Sequence, residues 1–187
     1  MMSFVPLCED ALPQVLAWRS DPETSRYLYT DITPDLDLQR EWFHKVSADH
    51  MWRHWLIRCG HRNVGLAYLS DIDWTNLRCS CGFYIGEKSF RRFGGLVLPG
   101  IVNYVFERLN FHKIYGEVME GNDNVLKLHD FHGYRKVGVY QGHVLKYGRF
   151  HNIHVFELLR SRWEELQGHY SQFRIPVLGH EGEETCE

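Results

Sequence analysis

The stretch CSCGFYIGEKSFRRFGG, residues 79–95, decides how this chain reads. It begins as an alternating strand with Cys79 and Cys81 on one face, where two sulfurs pack as small hydrophobes rather than hold a metal with His151 and His154. The strand runs into a loop carrying Lys88, Arg91 and Arg92, and Gly94-Gly95 then lead into a helix. Free N–H groups and the helix dipole at such a junction attract an anion, glycines let a ligand approach the backbone, and arginines add charge-assisted bonds. The plainer alternative is an ordinary loop with solvated basic residues. The helix itself is well marked. Val97, Ile101, Val105 and Leu109 recur every four residues, with Leu98, Val102 and Phe106 beside them and Pro99 expected in the first turn.

Upstream, the hydrophobic period is 2 from residue 54 onward. Strands are expected over residues 55–59, 64–74 and 78–86, joined by turns at 60–63 and 75–76, which makes an antiparallel meander. Before it come a short strand over 3–7 and helical material in which Leu12, Val15, Leu16 and Arg19 keep helical spacing until Asp21-Pro22 breaks the run. A second helix is expected to start on Thr33 as N-cap with Pro34 first, placing Leu38, Trp42 and Val46 on one face. Downstream, residues 112–119 read as strand, 123–132 as a helix closed by Gly133, 134–140 and 150–158 as strands, and 162–167 as a short helix. Strand and helix alternating after a meander imply a mixed α/β sheet flanked by helices.

Length and composition set the frame. A chain of 187 residues is about one domain, and 44% hydrophobic with 24% charged residues is globular rather than disordered or fibrous. Residues 1–170 are read as that domain, and 171–187 as an acidic, flexible tail without periodicity. Four acids (Glu181, Glu183, Glu184, Glu187) follow Gly179 in a segment with no Lys or Arg, so 21 basic residues face 20 acidic ones over residues 1–179. A body so near neutral lacks the field of a general nucleic-acid binder. Five scattered cysteines and no signal peptide point to a reducing, cytoplasmic setting, and no apolar run approaches the length of a membrane span.

A second stretch, KIYGEVMEGNDNVLKLHDFHGY over residues 113–134, gives the first a family context. Together they resemble the GNAT superfamily of N-acetyltransferases, in the branch of ribosomal-protein and amino-sugar acetyltransferases. Glu120, Asn122, Leu128 and Gly133-Tyr134 fall in register with that branch's E-x-N-x-x-A-x-x-L-Y-x-x-x-G-F pattern, with Val125 in the alanine slot and His129 in the tyrosine slot. Gly82, Phe83, Ile85 and Gly86 match its G-F/Y-x-I-G strand end. Trp18-Arg19 with Asp21, and Glu41-Trp42-Phe43, look like the WRN and WF signatures of acetyltransferases from pathways of the pseudaminic-acid type. Departures lie in the phosphate loop: where the family has Q/R-x-x-G-x-G/A, this chain has Ser89, Arg92 and Gly94 in one register, or Arg91, Gly94 and Leu96 in another.

The resemblance implies a GNAT fold and direct transfer of acetyl from acetyl-CoA to a primary amine, with no metal. The favoured acceptor is a nucleotide-linked amino sugar. A protein N-terminus or ribosomal protein is the runner-up, and a non-catalytic CoA-binding module the rival. Neither nucleic acid nor membrane is an expected partner, and the protein is read as a monomer or homodimer. By resemblance, acetyl-CoA would lie along Phe83, Tyr84, Ile85, Arg91, Arg92, Phe93, Gly94, Gly95 and Leu96, reaching Asn122 and Lys127. The acceptor would meet Trp18, Arg19, Tyr29 and Trp42. His129, Asn122 and Tyr84 would carry catalysis. An imidazole can protonate a departing thiolate near neutral pH, so His129 is a reasonable general acid, or else a structural histidine. Asn122 either bonds the pantetheine arm or caps the helix behind it. No general base stands out: Glu87, Asp71, Asp73 and a water chain all remain open.

Overall fold

The computed structural model describes residues 1–178. The acidic run of the tail lies outside the described residues. Seven strands form one sheet in the order β1-β2-β3-β4-β5-β7-β6. They are β1 (Met2–Pro6), β2 (Arg53–Cys59), β3 (Arg62–Asp73), β4 (Arg78–Ile85), β5 (Lys113–Met119), β6 (Arg135–Lys146) and β7 (Arg149–Leu159). Every pairing is antiparallel except β4 with β5. That parallel pair follows from the long crossover between them, which runs through α4 (Gly94–Asn103). The expected α/β architecture, mostly antiparallel and flanked by helices, is the one observed.

Alternation along the strands feeds two clusters. Ile57, Ala67, Leu69, Cys79 and Ile114 face Val97, Ile101, Val105 and Phe106 in the main core. Leu56 and Leu66 face the opposite side and meet Val15 and Trp18 of α1 (Leu12–Ser20). The helix α5 (Asp123–Phe131) closes the main core with Val125, Leu126 and Leu128. α2 (Pro22–Ser25) and α3 (Leu36–Ala48) stand on the α1 side.

Four local expectations are corrected. α3 is capped by Asp35 and not Thr33, because the Asp35 carboxylate accepts from the N–H groups of Asp37 and Leu38 at 2.9 and 3.2 Å. α4 begins at Gly94, so Pro99 sits in its second turn and leaves the Gly95 carbonyl without a helical donor. The buried His132 ring faces that carbonyl. Residues 141–149, between the expected strands 134–140 and 150–158, belong to the β6–β7 hairpin. Its Tyr147-Gly148 turn has φ of 51° and 75°, the left-handed pair that a two-residue hairpin demands. Finally, residues 171–178 are packed and not frayed: Ile175 covers Gly100, and Phe4 pairs with Val177 at the edge of β1. α6 (Arg160–Glu165) and α7 (Gln167–Tyr170) lead into that segment.

Candidate functional site

β4 and β5 pair only where Arg78, Cys79 and Ser80 meet Lys113, Ile114 and Tyr115. Beyond Ser80 and Tyr115 the two strands part, and a cavity of about 460 Å³ fills the splay. Gly82, Gly94, Gly95 and Gly116 line it, so much of its wall is bare backbone. Phe83 and Ile85 from β4 and Asn122 and His129 from the α5 end complete it. On the α1 side of the sheet lies a larger cavity of about 740 Å³. Trp42 of α3, Trp52 and His54 form an aromatic wall, and Asp35, Asp71 and Arg19 add charge. Trp52 and His54 stack at 5.7 Å, and Trp42 meets His54 edge-on at 5.0 Å. Burial pushes the His54 imidazole down to about 4, so this wall is neutral.

Six residues line both cavities: Tyr27, Leu28, Tyr68, Cys81, Tyr84 and Glu117. Among the described residues, groups bound in the two cavities can meet at this junction. Burial raises the Tyr68 and Tyr84 phenols, which keep their protons. It pushes the Cys81 thiol up to about 12, far from a nucleophilic thiolate. Glu117 is solvent-exposed on β5 and accepts a hydrogen bond from the Tyr29 hydroxyl at 2.6 Å. Burial raises the Tyr29 phenol, and the carboxylate beside it adds to the effect.

His129 has its ring between Phe156 and Tyr134, with centroids at 4.8 and 4.7 Å. Its Nδ1 stands 2.8 Å from the Val125 carbonyl, which can only accept, so Nδ1 carries the hydrogen. Nε2 is then the bare nitrogen, directed at Gly116, where a Cβ would come within 3.4 Å of it. Burial lowers the basicity of the ring, and the imidazole is neutral at physiological pH. Asn122 occupies the N-cap position of α5 but makes no side-chain capping bond, which leaves its amide for the cavity.

The remaining sequence candidates divide. Tyr84 stands at the junction, Arg91 lines the splay, and Arg19, Tyr29 and Trp42 line the larger cavity. Arg91 is also tied to Glu23 at 2.7 Å and Asp21 at 3.4 Å. Phe93, Arg92, Leu96 and Lys127 line neither cavity; Arg92 lies over the Phe93 ring at 4.8 Å, and Leu96 faces outward. Trp18 is structural: its ring lies on Gly86, and its Nε1–H donates to Glu87 at 3.1 Å. That bond, with Arg62 at 2.6 Å, also takes Glu87 out of contention as a base. Asp73 is occupied in its turn by Thr75, Asn76 and Arg78. Asp71 remains, in the larger cavity. Sequence reading missed Glu117, Tyr27 and Tyr68. The signal for Glu117 was the alternation that sets Tyr115 and Glu117 on the face opposite the buried Ile114 and Val118.

Residues 2–135 match the family described as acetyltransferase (GNAT) domain, and the chain belongs to that family. It is an N-acetyltransferase by that membership, with acetyl-CoA as donor. The chain is 23% identical over 163 residues to an uncharacterized N-acetyltransferase p20 of Bacillus licheniformis, covering 83% of this chain and 90% of the relative. Its fold is similar to that of a spermidine N-acetyltransferase from Vibrio cholerae solved with CoA and spermine. The TM-score is 0.81 at 19% identity, over 87% of this chain and 98% of that one. Mutant forms of a spermidine/spermine N-acetyltransferase from the same organism align with a TM-score of 0.78 at 18% identity, over 89% and 98%. Among the described residues no helix is long and apolar enough to cross a membrane.

Proposed function

We propose that the splay between β4 and β5 takes the acetyl-pantetheine end of acetyl-CoA, and that the larger cavity presents a primary amine to it at the six-residue junction. The observation that carries this reading is the confluence of the two cavities at Tyr84, Tyr68 and Glu117. The residues present fit the donor: four glycines leave backbone groups open along the cleft, the α4 N-terminus opens onto it, and Arg91, which Glu23 and Asp21 hold at the wall, can exchange them for a phosphate. Asn122 is placed to bond the pantetheine amides.

In the transfer, the amine nitrogen forms a bond to the thioester carbonyl carbon, the carbon–sulfur bond breaks, and one proton passes from nitrogen to sulfur. Glu117, with Tyr29 holding one carboxylate oxygen, removes a proton from the ammonium before attack, directly or through a water. His129 is neutral and must take up a proton before it can give one. Its Nε2 accepts the proton that nitrogen releases as the new bond forms, and then delivers it to sulfur. Tyr84, protonated at the junction, orients the reacting groups.

The finer reading is that the amine belongs to a nucleotide-linked amino sugar, with Arg19, Tyr29 and Trp42 as acceptor contacts. The WRN-like and WF-like signatures support it, and so does a cavity of about 740 Å³ whose tryptophans suit the flat faces of a sugar or base. A second reading, a linear polyamine, draws on Asp35, Asp71 and Glu117 around the same cavity, and on the spermidine acetyltransferases among the solved neighbours. Thiol release from acetyl-CoA with a panel of amines decides between them. The panel holds a nucleotide-linked 4-amino sugar, free glucosamine, spermidine and an N-terminal tripeptide, and the nucleotide sugar is expected to give the highest kcat/KM. Fastest turnover with spermidine overturns the amino-sugar reading. Acetyl-CoA binding without turnover on any amine would leave a CoA-binding module.

A further inference from the structure

Lys146, the last residue of β6, has a side chain only 3% exposed. Its Nζ donates to the Ser25 carbonyl at 2.8 Å, the Leu28 carbonyl at 2.6 Å and the Asp31 carboxylate at 2.9 Å. An ammonium has three N–H groups, and here each has its own acceptor. A buried charge is tolerated only when paired and hydrogen-bonded. All three acceptors lie on one segment, residues 25–31, which runs from the end of α2 into the loop behind it, more than a hundred positions away in the chain.

That loop is the outer wall of the larger cavity. It presents Tyr27, Leu28, Tyr29 and Thr30, of which Tyr27 and Leu28 also reach the junction. Two further grips hold it from other directions. Arg19 Nη2 donates to the Thr30 carbonyl at 2.7 Å and to its hydroxyl at 3.0 Å, and the Tyr29 hydroxyl donates to Glu117. The backbone of Lys146 is itself fixed. His151 Nε2–H donates to the Lys146 carbonyl at 3.2 Å, and His151 Nδ1 stands 3.6 Å from the Glu120 carboxylate, one residue beyond β5. The lysine therefore ties the loop to the end of β6.

We infer that Lys146 is a positioning residue: by pinning residues 25–31 it sets the acceptor wall at the transfer point. The inference rests on the larger cavity being the acceptor site. A loop of this length with only short α2 before it loses its fixed shape when three hydrogen bonds go, because little apolar surface holds it in place. The effect falls first on acceptor binding, since the Tyr29 hydroxyl keeps its own bond to Glu117 when the lysine's bonds are removed.

The test uses Lys146→Met, which keeps the length of the side chain and removes its donors, alongside Asp31→Asn, an exposed change that weakens one bond of the three. In Lys146→Met, amide hydrogen exchange over residues 25–31 should rise about tenfold or more, with acceptor KM up about tenfold and kcat and acetyl-CoA Kd within about threefold. Asp31→Asn should move exchange and KM the same way by about two- to fivefold. A lower Tm with exchange and KM unchanged overturns the inference, since a merely structural lysine would behave so. If Lys146→Met does not fold, unchanged KM and exchange in Asp31→Asn overturn it. If the wild type acetylates no amine, the acceptor reading fails while the exchange measurement still decides whether Lys146 pins the loop.

Discussion

His129→Phe separates the two ways in which an imidazole could serve at this site. The Nδ1–H is committed to the Val125 carbonyl at 2.8 Å, and burial holds the ring's pKa below 6.5. At pH 7.5, one unit above that bound, at least about 90% of the enzyme therefore carries a neutral ring with Nε2 bare. An imidazolium that had to be present before the reaction began would make kcat fall about tenfold per pH unit above its pKa. A neutral ring that receives its proton from the attacking nitrogen gives the opposite limb: kcat is level above about pH 7 and declines as acid protonates Nε2. The phenylalanine fills the same space between Phe156 and Tyr134, so its stability cost should stay near 1 kcal/mol, the worth of one neutral hydrogen bond. Turnover should fall by about 10²- to 10⁴-fold, with acetyl-CoA affinity retained. His129→Tyr should recover part of it. Stopped-flow and steady-state thiol release from pH 5.5 to 9 measure both limbs. Turnover of His129→Phe within a few-fold of wild type would refute any proton-carrying role. A tenfold-per-unit alkaline decline, present in wild type and absent in the variant, would refute the neutral ground state.

Glu117→Gln keeps the Tyr29 contact and removes the base, and should lower kcat by about 10²-fold or more near pH 7, with partial recovery at higher pH as free amine accumulates; isothermal titration should show acetyl-CoA binding unchanged. Gly82→Ala would set a methyl 2.3 Å from the Tyr68 hydroxyl, so the phenol must swing out of the junction and acceptor KM should rise several-fold, which initial-rate kinetics at saturating acetyl-CoA will show. Burial, with His169 beside it, pushes His132 down to about 4, so the folded protein prefers the neutral ring; the unfolded chain takes up that proton first as pH falls. The stability from this group is whole above pH 6.5 and is lost between 6.5 and about 4, amounting to a few kcal/mol at most. Urea denaturation from pH 7.5 to 4.5 should show that slope in wild type and a flatter one in His132→Phe.

What the sequence disclosed and what it hid differ by the range of the interactions involved. The meander, α4 and α5 were legible because their signals are local: period 2 through residues 55–86, period 3.6 through Val97 and Leu109, and Gly133 at φ 78° closing a helix. The hairpin joining β6 to β7 escaped because Tyr147, not asparagine or aspartate, occupies a left-handed turn position. Trp18 read as an acceptor contact through the WRN-like signature, which looks the same whether the indole faces a ligand or the bare backbone of Gly86. α3 shows the limit of periodicity. Its Leu38, Trp42 and Val46 stripe has the spacing of a core face, yet only Val46 is buried, since the stripe forms part of a cavity wall and a cavity wall is as apolar as a core. The acceptor loop was the least legible. Residues 25–31 have no period of their own, and their shape comes from Arg19, Glu117 and above all Lys146, whose three partners lie 115 to 121 positions upstream. The proposed acceptor wall therefore lies where local sequence says least, on a segment held by the buried ammonium of Lys146.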